Sequence, residues 1–139
     1  MKELRDYCFY TPIVVLILSI ILSVVLMVIV GVTGDLLPYW FQPKPGLIFY
    51  AMLFENAMFS IFSCTVILNT FKFVRNNFWL SFITFFWPVI FFYIAILLNL
   101  DHPDAGFSLL IPLAFVIPQG YSFFIFHKRL KSGYFDEDL

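Results

Sequence analysis

The sequence predicts an all-α integral membrane protein: four transmembrane helices in an antiparallel bundle, with both termini in the cytoplasm. Three observations carry that reading. The chain is 62% hydrophobic and 12% charged, whereas a water-facing globule has about 25% charged residues. Four apolar segments reach the ~20 residues that a helix needs to cross ~30 Å of hydrocarbon. The cations are distributed on one side of those segments, as the positive-inside rule requires.

The first segment, Thr11–Gly31, carries no charge. It is longer than the hydrophobic region of a cleaved signal, and both acids and bases precede it, so it reads as a retained span. The second, Leu47–Phe71, is interrupted by Glu55 and a few small polar residues. The third is Phe78–Leu100 and the fourth is Phe107–His127. Backbone groups inside lipid must satisfy one another, and none of the four alternates with period two, so all are expected as helices. Together they make one domain, residues 1–139.

Lys2 and Arg5 precede the first span, Lys72 and Arg75 lie between the second and third, and Lys128, Arg129 and Lys131 follow the fourth. Four crossings place all of them on one side and leave Lys44, Asp35, Asp101 and Asp104 on the other. This predicts cytoplasmic ends and outward loops at 32–46 and 101–106. In the first loop Pro38, Pro43 and Pro45 oppose regular structure. Tyr39, Trp40 and Phe41 there suit the headgroup level, as an interfacial anchor or as a docking face for an external partner. The acidic tail after Lys131 reads as a frayed end.

Glu55 asks for an explanation. It lies about eight residues inside the second span, hence ~12 Å into the bilayer. A charge near the membrane centre costs about 2.5–3.5 kcal/mol on insertion scales, so such a group faces a bundle interior or water, or takes up a proton. At 100° per residue Glu55, Asn56, Ser60, Ser63, Cys64 and Thr70 share about half of the helix circumference, opposite Leu53, Phe54, Ile61 and Leu68. That polar stripe is expected to face other helices. Depth matching brings Ser23 and Tyr93 to the level of Glu55, with Gln119 one or two turns deeper. Three roles remain open for Glu55: a packing group, a proton or cation site, and a contact for another protein's helix.

Elsewhere, Ser19 and Ser23 form a small-xxx-small face that permits close helix approach. Pro88 and Pro118 are expected to kink their helices, freeing the carbonyls of Thr84 and Ala114. Asp101, His102 and Asp104 are possible metal ligands, although a solvated turn is the simpler reading. Cys8 and Cys64 have neither redox nor zinc spacing and are expected as free thiols. No catalytic or cofactor motif is found, and no basic arm points to nucleic acid.

The turn "FKFVRNNFWLSF", Phe71–Phe82, and the terminus "FHKRLKS" place Lys and Arg beside aromatics in a small Phe-rich chain. In this the sequence resembles the inner-membrane immunity proteins that protect bacteria from pore-forming colicins. The resemblance implies helix-to-helix contact with an invading pore domain, and no functional residue is carried over by it. The expected function is therefore helix–helix binding to another protein in the bacterial inner membrane, as an immunity protein or accessory subunit. The alternative is a small proton- or cation-coupled transporter working as a homo-oligomer through Glu55.

Overall fold

The computed structural model describes residues 2–33, 45–98 and 112–135. They are helical, with no strand among them. Helix α1 spans Lys2–Thr33 and α2 spans Pro45–Phe62, which passes directly into a 3₁₀ helix, Ser63–Thr70. A single turn, α3 (Lys72–Arg75), leads to α4 (Phe78–Leu97), and α5 covers Leu113–Lys131. The tryptophan-bearing loop 34–44 and the Asp101–Asp104 turn lie outside the described residues.

The boundaries differ from the sequence expectation in ways that have local causes. Helix α1 begins nine residues before Thr11, because Leu4, Cys8 and Thr11 continue one buried face into the polar N-terminus. Helix α4 starts at Phe78, as expected. Asn77 caps it, its Oδ1 accepting from the backbone N–H groups of Trp79 (3.0 Å) and Leu80 (3.2 Å). Helix α5 continues four residues past His127 and ends in a Schellman turn. Gly133 adopts φ 72°, its N–H donates to Leu130 O (3.3 Å), and the Tyr134 N–H donates to Arg129 O (3.1 Å). That turn folds Phe135 back into the protein, where it is 2% exposed against Tyr7 and Phe126. The tail is thus anchored through Phe135, where a frayed end was expected.

Cross-helix contacts fix the arrangement. Pro12 meets Ser60 and Ser23 meets Asn56. Phe59 meets Phe92 while Asn69 meets Thr84. Gln119 meets Phe85 while His127 meets Phe78. In each pair one number rises as the other falls, so neighbouring helices are antiparallel. Helix α1 packs against α2 with its 3₁₀ extension and against α5, and α4 packs against the 3₁₀ helix and α5. Helices α1 and α4 therefore occupy opposite corners of a four-sided bundle.

Among the described residues, three helical stretches are long and apolar enough to cross a membrane: Glu3–Ile29, Tyr50–Thr70 and Phe78–Leu97. Helix α5 is not among them. Its described part carries Gln119, Gly120 and Ser122, and its last turn is basic, which shortens its apolar run. The bundle wears its most apolar residues outside. Ile13, Ile17, Ile21, Val24, Val28, Phe54, Ile61, Phe91 and Phe124 are exposed, while Ser19, Ser23, Asn56, Ser63, Asn69, Ser81 and Gln119 are buried. Such a surface suits hydrocarbon and exceeds what a monomeric soluble protein leaves uncovered. The apolar core inside is aromatic: Phe85, Phe86 and Phe126 join Leu4, Cys8, Val66 and Phe135, and Phe59 and Phe115 join Val15 and Val89.

Candidate functional site

The interior polar groups form a discontinuous seam. On α1, Thr11, Val15, Ser19 and Ser23 recur every four residues and present one buried face. Ser23 Oγ donates to Ser19 O (2.8 Å), so its hydroxyl proton is occupied within its own helix. It then accepts from Asn56 Nδ2 across the α1–α2 interface at 2.7 Å. One turn further along α2, Ser60 Oγ donates to Pro12 O at 2.9 Å. Small serines let the two backbones approach closely enough for these short bonds.

The seam continues into the 3₁₀ helix with a change of phase. Three residues per turn make positions i, i+3 and i+6 eclipse, and Ser63, Val66 and Asn69 are indeed its buried row. Side chains reinforce the tighter winding: Asn69 Nδ2 and Thr70 Oγ1 each donate to the carbonyl three residues back. The stripe drawn at 100° per residue therefore holds for Asn56, Ser60 and Ser63 and fails beyond. Cys64 is exposed, Thr70 is half-buried, and Asn69, outside the expected stripe, is fully buried.

The 3₁₀ helix meets α4 at Pro88. Proline has no N–H, so the carbonyl four residues earlier, Thr84 O, loses its helical partner. Thr65 Oγ1 donates to that oxygen at 2.8 Å and accepts from Trp87 Nε1 at 2.9 Å. The Thr84 hydroxyl donates to Ser81 O and accepts from Asn69 Nδ2, both at 2.7 Å. The freed carbonyl is thus closed by a neighbouring helix, which leaves it unsuited to ion binding. Thr65, Asn69 and Trp87 were missed as partners.

The remaining site residues separate. Gln119 Nε2 donates to Phe85 O (2.8 Å) between α5 and α4, two turns from Glu55, since Phe115 meets Phe59 at 5.3 Å between ring centres. Tyr93 rests against the cluster around Phe59 and Phe115. Glu55 lies one turn before Phe59 on the same flank of α2, toward α4 and α5. Its Oε2 is buried and accepts no hydrogen bond among the described residues. Ser19 Oγ, Ser63 Oγ, Ser81 Oγ, Asn69 Oδ1 and Gln119 Oε1 are also buried without a partner there. Each such neutral group costs about 1–3 kcal/mol, and more if charged, so the seam is polar beyond what folding alone would favour.

At the basic end of the bundle Arg75 is 3% exposed, and its Nη1 donates to Thr70 O at 3.2 Å. The arginine closes the carbonyl end of the 3₁₀ helix, where a cation is favoured. His127 is wedged among the rings of Phe78, Phe123 and Phe126. Cys8 and Cys64 are free thiols. Comparison with known protein families, curated proteins and solved structures finds no match for this chain.

Proposed function

We propose that this chain is a small polytopic protein of the bacterial inner membrane that acts by binding a helix of another membrane protein. Its termini lie in the cytoplasm, and α5 with the residues before it makes a fourth crossing. The single observation supporting the binding role is the Glu55 carboxyl. Its Oε2 is buried with no partner among the described residues, whereas the serine, threonine, asparagine and glutamine side chains that join the helices around it are neutral. A carboxyl group in that position favours a donor from outside the chain. Interhelical polar contacts in membranes average about 0.6 kcal/mol and reach ~1.7, so Glu55 directs recognition more than it supplies affinity. An immunity protein against a pore-forming toxin, or an accessory subunit of a larger complex, fits this description. Tyr39, Trp40 and Phe41 are proposed as the outer contact of the same partner or as an anchor at the headgroups.

The test is copurification from native membranes. Glu55→Gln should leave the yield and thermal unfolding of the protein unchanged and reduce recovery of a stoichiometric membrane partner by about three- to twentyfold, the range set by the contact energies above. Recovery of no partner by the unaltered chain would refute the proposal. A second reading is an oligomeric proton- or cation-coupled transporter, favoured by the 3₁₀ segment below Glu55, because such segments inside helices commonly serve as hinges. It requires pH-dependent flux in liposomes that Glu55→Gln abolishes.

A further inference from the structure

A cleft of about 450 Å³ runs between α1 and α5 at the basic end of the bundle. That volume is in the range of small-ligand sites. Its walls change character along their length. On α1 the lining residues are Glu3 and Asp6, then Tyr10 and Thr11, then Val14 and Leu18. Their spacing places them on one face of the helix, and fifteen residues at 1.5 Å span ~22 Å from the acidic mouth to the aliphatic floor. On α5 the opposing wall descends in the same order, from Arg129 through Ile125 to Ser122. A water-soluble metabolite has no use for this gradient, whereas an amphiphile lying along the helices matches it throughout.

The mouth carries both signs of charge. Arg129 is held by rings: its guanidinium carbon lies 5.3 Å from the centre of Tyr7 and 5.1 Å from that of Tyr134. A ring face attracts the cation without acting as an oxygen acceptor, so the planar fork keeps its donors for a phosphate. Tyr7 is itself fixed by donating from its hydroxyl to Ser122 O at 3.0 Å, and Tyr134 by the Gly133 turn. Glu3 and Asp6, the latter 4.0 Å from Arg5 Nε, stand on the facing wall, and their carboxylates have lone pairs enough to accept from an ammonium group as well. The depth opens sideways to the surroundings, since Val14, Leu18 and Tyr121 are all exposed on the bundle surface.

We infer that the α1–α5 cleft is a binding site for one zwitterionic aminophospholipid, with its phosphate on Arg129, its primary ammonium at Glu3 and Asp6, and an acyl chain along Val14, Leu18 and Ile125. The inference rests on the proposed membrane location and is independent of the partner bound near Glu55. Basic pockets between helices at a membrane surface recognise lipid headgroups in the same manner. The two acids add a selection that a purely basic pocket lacks. They repel a headgroup that has only a negative charge, and a trimethylated amine has no N–H to donate to their oxygens.

The experiment uses the full chain purified in detergent, with retained lipid read by native mass spectrometry. Phosphatidylethanolamine, phosphatidylcholine and phosphatidylglycerol are supplied at equal concentration. The unaltered chain should retain phosphatidylethanolamine about tenfold better than the other two, the ratio of one charge-assisted hydrogen bond. Arg129→Gln should lower that retention about tenfold, and Glu3→Gln with Asp6→Asn should remove the preference over phosphatidylglycerol. Leu18→Trp, which fills the slot and leaves every charge in place, should also lower retention, and it reads the site should an Arg129 variant unfold. Equal retention of the three lipids, or unaltered retention in a folded Arg129→Gln or Leu18→Trp chain, would overturn the inference. A chain that needs no detergent would instead refute the membrane location, and loss of the Glu55-dependent partner alone would leave the lipid site standing.

Discussion

Thr65→Val is the sharpest perturbation the seam permits. Valine keeps the shape of threonine and its branched β-carbon, so no cavity opens and the 3₁₀ backbone can stay as it is. What disappears is one hydroxyl that serves two α4 groups: it donates to Thr84 O (2.8 Å) and accepts from Trp87 Nε1 (2.9 Å). Two average interhelical contacts amount to about 1.2 kcal/mol. Thr84 O has no helical donor, because Pro88 follows it by four residues, and a buried group left bare raises the cost toward ~3 kcal/mol. The expected loss is therefore about 1–3 kcal/mol, measured by reversible denaturation of the detergent-solubilised chain, with Trp87 emission reporting the changed indole environment. Thr70→Val is the control. Its hydroxyl bonds only to Ile67 O within its own turn (2.8 Å), and its cost should stay below about 0.5 kcal/mol. Pro88→Ala returns an N–H to Thr84 O, so Thr65→Val should lose at least half of its effect in that background, a coupling that a double-mutant cycle isolates. Equal costs for Thr65→Val and Thr70→Val, or strict additivity with Pro88→Ala, would show that Thr65 does not close the proline-freed carbonyl.

The other substitutions probe separate parts of the fold. Gly133→Ala forces an L-residue into φ 72°; it should cost about 1–2 kcal/mol and release Phe135, read as faster proteolysis near the C-terminus. Gly120→Ala should stabilise the chain by about 0.5–1 kcal/mol, because a β-carbon there meets nothing within 4 Å and the helix gains rigidity; a lower melting temperature in detergent would contradict the packing around α5. Asn56→Ala breaks the 2.7 Å bond to Ser23 and should destabilise by about 0.5–2 kcal/mol, with Ser23→Ala non-additive to it; independent effects in the double mutant would mean the two side chains do not meet.

Composition and the length of the apolar runs determined the class of fold, all-helical with helices apolar enough to cross a membrane. A chain with this few charges cannot cover its apolar surface, and its long runs admit only helices in lipid. The paired positions of Ser19 and Ser23 and the orphaned carbonyl before Pro88 are likewise local, since each follows from residue type and short spacing. The tertiary structure alone decided which polar groups meet. Helical phase accumulates along a segment, so a change from 100° to 120° per residue beginning at Ser63 amounts to about 120° by Asn69 and sets Asn69 in the buried row with Ser63 and Val66. No composition rule marks where that change begins, because the tighter winding is stabilised by contacts with another helix. The burial of Phe135 and the ring-held Arg129 have the same origin: each depends on residues more than a hundred positions away, which become neighbours only when α5 returns along α1.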